Sequence, residues 1–135
     1  MKRNINISTG PTDPSKNIVN IKDLSGLVNH SVDLIFCDVL ENISSENLNS
    51  FAVNLLKKIR PEGYIVFQFL DVKKICSEFL NSRIDNQKFV GYFKNKTNLL
   101  SLDIFYTLFD TKEFSVTKLE QIENKISITL HRTSL

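Results

Sequence analysis

The chain of 135 residues is poor in the residues that mark several protein classes. It has no tryptophan, two cysteines, three prolines and four glycines. It contains no phosphate-binding loop of the Gly-Lys-Ser/Thr type and no Cys/His spacing that fits a metal site. No apolar run approaches the ~20 residues that a membrane span needs, and no signal peptide is recognisable. We therefore expect no bound metal and no membrane partner.

The numbers of basic and acidic side chains are nearly equal. Seventeen basic and fifteen acidic side chains leave a net charge of +2, which is too small to indicate a nucleic-acid partner. The contents of charged residues (24%) and hydrophobic residues (41%) are typical of a single globular domain, which we expect to span residues 1–135. Cys37 and Cys76 lie in apolar stretches, and this favours buried free thiols and a cytoplasmic location.

The pattern of apolar residues predicts strands that alternate with helices. A strand–helix–strand unit is predicted within residues 32–69, and such a unit almost always forms a right-handed parallel crossover. Residues 83–96 receive no assignment. The predicted elements are strands at 5–7, 17–21, 32–39 and 63–69, a helix from Ser44 or Ser45 that carries Ile59 and stops at Pro61, and helices capped by Asp71 and by Asn98 or Ser101. The helix after Asp71 is expected to place Val72, Ile75, Cys76, Phe79 and Leu80 on one apolar face. The chain is expected to end in a hairpin of 114–122 with 125–131, which turns at Glu123 and Asn124 with Asn124 available for a left-handed position.

The first strand ends in a turn of small residues. Ile5 and Ile7 lead directly into Ser8, Thr9 and Gly10. Many nucleotide-binding α/β domains begin with a strand and a turn of this kind. Such turns usually hold two or three glycines, whereas this turn holds one. Two roles are therefore compatible with Gly10: it lies close to a cofactor, or it is an ordinary turn glycine.

Residues 31–69 resemble the middle section of the class I S-adenosylmethionine-dependent methyltransferases. Asp33 matches the acidic start of that family's fourth strand, and Leu40-Glu41-Asn42 stands where Leu-Glu-His is usual. Residues 59–63 stand for the Pro-Gly-Gly turn, and residues 5–10 are similar to the opening Leu-Asn-Leu-Gly-Cys-Gly of the small saccharide-associated branch. The resemblance implies an α/β, three-layer Rossmann-like fold with a mostly parallel sheet, a C-terminal antiparallel hairpin and a shortened N-terminal half.

The same resemblance implies S-adenosylmethionine as cofactor and a small-molecule or saccharide-type acceptor. Asp38 follows a central strand, where parallel sheets present ligand-facing groups, although a helix-capping role suits it as well. Glu41 is either a catalytic acid or an ordinary loop acid. The implied site residues are Ser8, Thr9, Gly10, Asp23 and Asp38 for the cofactor, and Asp38 with Glu41 for catalysis on the acceptor side.

Two departures from the family pattern bear on activity. The family places a helix and a further strand between the first turn and the fourth strand, and its second strand ends in a carboxylate that binds the ribose. Too little chain separates Ser8 from Asp33 for two crossovers of ~10–12 residues each, and Lys22 stands where the acid is expected. Asn42 replaces a histidine that could act as a base. Many methyl transfers need little base catalysis, because positioning supplies most of the acceleration.

Two functions from different classes are therefore compatible with the sequence. One is a compact S-adenosylmethionine-dependent methyltransferase. The other is a catalytically inactive methyltransferase fold that serves as a scaffold or oligomerisation module. An unrelated α/β binding domain is a third alternative, but it explains residues 31–69 less well. The shortened front half is expected to leave part of a sheet face uncovered, so we predict a homo-oligomer.

Overall fold

The computed structural model describes residues 3–109 and 112–133. The described strands form one six-stranded sheet in the order β2-β1-β3-β4-β6-β5. The strands are β1 (Asn4–Ser8), β2 (Ile18–Asn20), β3 (Val32–Cys37), β4 (Ile59–Leu70), β5 (Phe114–Ile122) and β6 (Lys125–Arg132). The α-helices are α1 (Ser45–Lys57), α2 (Val72–Leu80), α3 (Asn86–Phe93) and α4 (Leu102–Phe109).

The sheet is parallel in its first half and antiparallel in its second. Strand β1 pairs in parallel with β2 and β3, and β3 pairs in parallel with β4. Strand β6 runs antiparallel to β4 and β5. The predicted α/β fold, with a mostly parallel sheet and a C-terminal hairpin, is confirmed. Short 3-10 helices at Pro14–Lys16 and Ile21–Gly26 are the only helical segments described between β1 and β3, so the shortened N-terminal half is confirmed as well.

The prediction that α1 carries Ile59 and stops at Pro61 is wrong. The helix ends at Lys57, and the fully buried Ile59 starts β4, where it pairs with Val32. Lys58, between them, is 4% exposed. Its Nζ donates to the carbonyl of Leu27 at 2.8 Å and its backbone oxygen accepts from the N–H of Val32 at 3.0 Å. These contacts with distant residues hold the chain in the sheet before the helix reaches its apparent stop signal.

The predicted capping residues have mixed outcomes. The carboxylate of Asp71 accepts from a backbone N–H of the first turn of α2, and the Ser101 hydroxyl does the same for α4. Ser44 is the N-cap residue of α1, but its Oγ accepts from the side chain of Asn47 and from no backbone N–H. The previously unassigned stretch contains α3, which is capped by Asp85. Leu80, predicted on the apolar face of α2, is 80% exposed.

The hairpin turn at residues 123–124 differs from the prediction in one respect. Glu123, rather than Asn124, adopts the left-handed backbone conformation, with a φ of 53°. Asn124 is held by other contacts, because its carbonyl accepts from the N–H of Asp71 and its side-chain amide donates to the hydroxyl of Tyr92. The turn therefore fixes the hairpin to the start of α2.

One face of the sheet carries the main core. Four phenylalanine rings lie at its centre, with centroids 4.4 to 5.5 Å apart between β4 and α4 (Phe67, Phe69, Phe105 and Phe109). Cys37 is fully buried in this core, and burial raises the pKa of its thiol to about 12. Cys76 is also a free thiol but is only partly buried, so the prediction of buried thiols holds fully for Cys37 alone.

The opposite face of the sheet is only partly covered. A second cluster, built on Leu70, Ile75 and Ile84 with rings from α2 and α3, packs at the end of β4. Along the rest of the sheet, burial alternates between buried core residues and half-exposed or exposed residues. We define the open face as Asn4, Asn6, Leu34, Phe36, Tyr64, Val66, Lys118, Glu120, Thr129 and His131. In the described part of the chain, no helix is long and apolar enough to cross a membrane.

Candidate functional site

The predicted site residues gather where β1 and β3 end. Ile7 pairs with Cys37 in the parallel register, so Ser8 and Asp38 follow at the same edge of the sheet. Neighbouring strands lie ~4.8 Å apart. Asp38 is exposed and Ser8 is half-buried. The geometry confirms that the first turn and the central strand open on one rim, which is the place where parallel sheets bind ligands.

The turn after β1 satisfies one of its own backbone amides. The Ser8 Oγ accepts from the N–H of Gly10 at 2.9 Å, and Pro11 has no N–H to offer. A Cβ added at Gly10 would meet only the Ser8 Oγ, at 3.4 Å, and no left-handed φ requires glycine there. The backbone conformation therefore does not by itself require glycine at this position, and the role of Gly10 in cofactor binding stays a prediction.

Asn20 closes the turn from the neighbouring strand. It ends β2 and pairs with Ser8 in the parallel register. Its Nδ2 donates to the carbonyls of Gly10 at 2.6 Å and Thr9 at 3.1 Å, and its Oδ1 accepts from the N–H of Lys22 at 2.8 Å. The residue at the end of the second strand is therefore an amide. Both polar atoms of its side chain are engaged in contacts that tie β2 to the turn.

Asp23 does not stand at the strand end but in the 3-10 helix that follows it. One of its carboxylate oxygens accepts from the hydroxyl of Thr12. The Thr12 Oγ1 in turn accepts from the N–H of Asn20 at 2.9 Å. Thr12 and Asp23 line a cavity of about 280 Å³ beneath β1 and β2, whose lining also includes Ile5 and Val19 from the core face but neither Ser8 nor Asp38.

Glu41 lies inside the protein rather than at the rim. It is 2% exposed. Its Oε2 accepts from the N–H of Leu70 at 3.2 Å, and its Oε1 lies 3.5 Å from the Nζ of Lys96. Its backbone oxygen accepts from the N–H groups of Thr97 and Asn98. These contacts favour a structural role, in which Glu41 fixes the end of β4 and the segment after α3. Its role in catalysis stays a prediction.

Asp33, which carries part of the resemblance to methyltransferases, lies at the amino end of the sheet. Its carboxylate accepts from the N–H of Arg3 at 2.6 Å and from the guanidinium of Arg60 at 3.1 Å. It therefore joins the starts of β1, β3 and β4 on the side opposite to the rim. This structural role accounts for an acidic residue at position 33.

A larger cavity of about 460 Å³ lies at the other half of the sheet. Two strands, β3 and β4, separate β1 from the hairpin that forms one of its walls. Sequence reasoning did not identify this cavity, because its walls come from segments that are distant in the chain. Its lining residues are Asp71, Val72, Lys73, Lys74, Leu100, Ser101, Leu102, Leu119, Glu120, Gln121 and Ile126.

The residues at the rim do not fit S-adenosylmethionine. In the class I methyltransferases that the sequence resembles, free backbone N–H groups of the first turn bind the methionine part of the cofactor. A carboxylate at the end of the second strand binds its ribose. Here the N–H of Gly10 is bonded to Ser8, and the strand ends in Asn20, whose amide is bonded to the turn. A ligand that uses these groups would have to replace these contacts, which are exposed or partly buried, and an ordinary hydrogen bond contributes about 0.5–1.5 kcal/mol.

Comparison with known proteins identifies the fold. No protein-family model and no curated protein matches the chain in sequence. Solved methyltransferase structures match it in shape. An S-adenosylmethionine-dependent methyltransferase from Archaeoglobus fulgidus has a TM-score of 0.66 at 12% identity, with 97% of this chain and 86% of that chain covered. A second one, from Thermotoga maritima, has a TM-score of 0.64 at 12% identity, with 98% of this chain and 83% of that chain covered.

The CurJ carbon methyltransferase is also similar in shape, with a TM-score of 0.62 at 13% identity. The match covers 98% of this chain but 49% of that one, so the chain spans about half the length of this larger relative in fold. At these identities the likeness establishes the fold alone. The chain has the Rossmann-like fold of the class I S-adenosylmethionine-dependent methyltransferases, as the resemblance of residues 31–69 implied.

Proposed function

We propose that the chain is a methyltransferase-fold scaffold whose former cofactor position is closed by its own hydrogen bonds. It holds other protein surface in place and does not transfer a methyl group. The proposal accounts together for the fold and for the departures of the rim from the family pattern.

The observation that carries the proposal is the position of Asn20. A ribose-binding carboxylate has to present free oxygens to the two sugar hydroxyls. The amide of Asn20 instead donates to two carbonyls of the first turn and accepts from the N–H of Lys22. Substitution of an acid by an amide removes the negative charge and adds two donors. The new donors match the carbonyls of Thr9 and Gly10, which therefore draw the turn toward β2.

Methyl transfer to a small or saccharide-type acceptor is the competing function. Asp38 favours it, because an exposed carboxylate stands beside the Ser8 turn at the rim. Nothing in the comparisons bears on a saccharide acceptor, and no catalytic step follows from the residues of the rim.

Calorimetric titration separates the two functions. S-adenosylmethionine and S-adenosylhomocysteine are titrated separately into the full chain at millimolar ligand. The scaffold proposal expects no saturable heat from either ligand. Saturable micromolar binding that a Gly10→Val substitution weakens about tenfold or more, an effect of about 1.4 kcal/mol, would overturn it and support the methyltransferase. Gly91→Ala is the matched control, since a Cβ at that site meets nothing within 4 Å.

A further inference from the structure

The larger cavity, of about 460 Å³, has no part in the proposed function. Its volume falls within the ~300–1,000 Å³ that is usual for small-molecule sites. Three segments form its walls: the hairpin of β5 and β6, the start of α2 and the start of α4. Because these segments are distant in the chain, the cavity forms only when the hairpin and both helices are in place.

The more buried residues of the cavity wall are apolar. Leu100 is 2% exposed and Ile126 is 8% exposed. Val72 and Leu102 are half-buried, and Leu119 is exposed on the hairpin side. A ligand with an apolar body would cover these side chains, and removal of their apolar surface from water would stabilise the complex.

Hydrogen bonds fix the hairpin wall of the cavity to the wall formed by α2. The N–H of Asp71 donates to the carbonyl of Asn124 at 2.8 Å. The Nζ of Lys74 donates to the carbonyl of Glu123 at 2.7 Å. Both acceptors belong to the hairpin turn. The two walls are therefore held together before a ligand arrives, which lowers the entropy cost of binding.

The charges on the wall of the cavity are not all paired. The carboxylate of Asp71 accepts from the N–H of Lys74 at 3.1 Å, and the Lys74 ammonium is bonded to the hairpin turn. The carboxylate of Glu120 lies 2.7 Å from the Nζ of Lys118. Among the described residues, the ammonium of Lys73 makes no hydrogen bond or ion pair. The wall therefore leaves one positive charge for a ligand.

We propose that this cavity binds an amphiphilic monocarboxylate, a small molecule with an apolar body and one carboxylate group. The apolar body lies against the leucine and isoleucine side chains, and the carboxylate lies toward the Lys73 ammonium. The hydroxyl of Ser101, which also lines the cavity, accepts from the N–H of Ile104 and keeps its own hydrogen as a second donor. A cationic head group would instead meet a charge of its own sign.

The volume sets the size of this ligand. A water takes up ~30 Å³ in the liquid, so the cavity has room for about fifteen waters, or for a ligand of roughly ten to fifteen non-hydrogen atoms. Two strands separate the cavity from β1 and its turn. Binding there is therefore independent of whether the rim accepts a cofactor.

Nuclear magnetic resonance titration of the ¹⁵N-labelled full chain tests the proposal with three probes of equal chain length: octanoate, 1-octanol and octylammonium. Octanoate should shift the amide signals of Val72, Leu102 and Ile126 saturably. Its dissociation constant should be about 0.1–1 mM, as expected for about ten non-hydrogen atoms. Octanoate should bind at least ~3-fold more tightly than 1-octanol, and octylammonium should bind most weakly. Absence of saturable shifts, or binding of either other probe as tight as that of octanoate, overturns the proposal.

Two substitutions locate the ligand, each with a matched control. Lys73→Gln should weaken octanoate about 3-fold, as expected for an exposed ion pair, and leave 1-octanol unchanged. Its control is Lys88→Gln, at an exposed lysine in the first turn of α3. Leu119→Trp fills the cavity and should weaken octanoate at least ~10-fold. Its control is Val116→Trp on the same strand, since Val116 is 45% exposed, against 50% for Leu119, and does not line the cavity.

Circular dichroism establishes that each variant is folded before its affinity is compared. If Leu119→Trp failed to fold, the exposed Lys73→Gln substitution would still test the proposal. Octanoate binding that survives Leu119→Trp, or that Val116→Trp weakens as much, overturns the assignment of the cavity. A Lys73→Gln substitution that leaves octanoate binding unchanged, or that weakens octanoate and 1-octanol equally, overturns the assignment of the carboxylate.

Discussion

Replacement of Glu41 by alanine tests whether this residue holds the structure together. The substitution leaves the N–H of Leu70 without its acceptor in a buried position and removes the partner of Lys96. A hydrogen bond to a charged group contributes about 1.5–3 kcal/mol, and the loss of one member of a buried ion pair costs about 3–5 kcal/mol. The two figures count the loss of the same carboxylate, and Lys96 keeps 24% of its side chain exposed, so we place the total loss at about 3 kcal/mol, where the two ranges meet.

Urea denaturation followed by circular dichroism measures this loss. With an m-value of about 2 kcal/mol/M, the midpoint of Glu41→Ala should fall by about 1.5 M. Glu41→Gln keeps an acceptor for Leu70 and should lose only about 1 kcal/mol. Glu113→Ala at an exposed turn is the control and should stay within about 0.5 kcal/mol of the wild type. A Glu41→Ala variant as stable as this control would refute the structural role of the carboxylate.

Three further expectations can be measured in the same way. Gly63→Ala should destabilise the fold by about 2 kcal/mol, because the new Cβ would lie 2.9 Å from both the Asp33 carbonyl and the Ile59 side chain; wild-type stability would contradict the packing described for β4. Gly91→Ala in α3 should be neutral or stabilising by up to about 1 kcal/mol, since it gains helix propensity in open space, and a loss would contradict the helix. Burial holds the pKa of Cys37 at about 12 against an ordinary value of 9.0, so above pH 9 only the unfolded thiol loses its proton and rising pH favours unfolding. The stability of the wild type relative to Cys37→Ala should be constant below pH 9 and then fall by about 1.4 kcal/mol per pH unit, and parallel curves would contradict this burial.

The sequence was sufficient to predict the elements whose signals are local. Strand β3 is a mostly apolar run, and α1 shows one apolar stripe that includes Leu48, Ala52 and Leu55. Both kinds of pattern depend only on neighbours in the chain. The side-chain cap of Asp71 is local for the same reason. The parallel pairing of β3 and β4 followed from the strand–helix–strand pattern. The parallel place of β1 beside β3 followed from the resemblance to the methyltransferases.

The errors arose where distant contacts decide the structure. The end of α1 depends on Lys58, whose ammonium group bonds to residues about thirty positions earlier, Leu27 and Asn29. It depends also on Arg132, which donates to the carbonyls of Leu56 and Ile59. Hydrogen bonds between distant residues leave no local pattern in the sequence. The end of α1 was therefore predicted from Pro61, which is a local stop signal.

The position of the candidate site could be predicted from the sequence, whereas several contacts of its residues could not. The rim of Ser8 and Asp38 follows from strand order, which the sequence indicates well. The role of Asn20 could not be predicted from the sequence, because an acid is expected at a ribose site and the nearby acid is Asp23. The hydrogen bond from the Asn20 side chain to Thr9, eleven residues earlier, corresponds to no recognisable sequence pattern. The buried contacts of Glu41 could not be predicted for the same reason, since burial of a carboxylate is not visible in the sequence.

Nuclear magnetic resonance can observe the closed turn residue by residue. In a ¹⁵N-labelled chain, the backbone amide of Gly10 and the side-chain amide of Asn20 report on the two bonds that close the cofactor position. The account predicts that millimolar S-adenosylhomocysteine leaves both signals unmoved. Saturable shifts that centre on these two residues would contradict it, because they would show that the turn opens to receive the ligand.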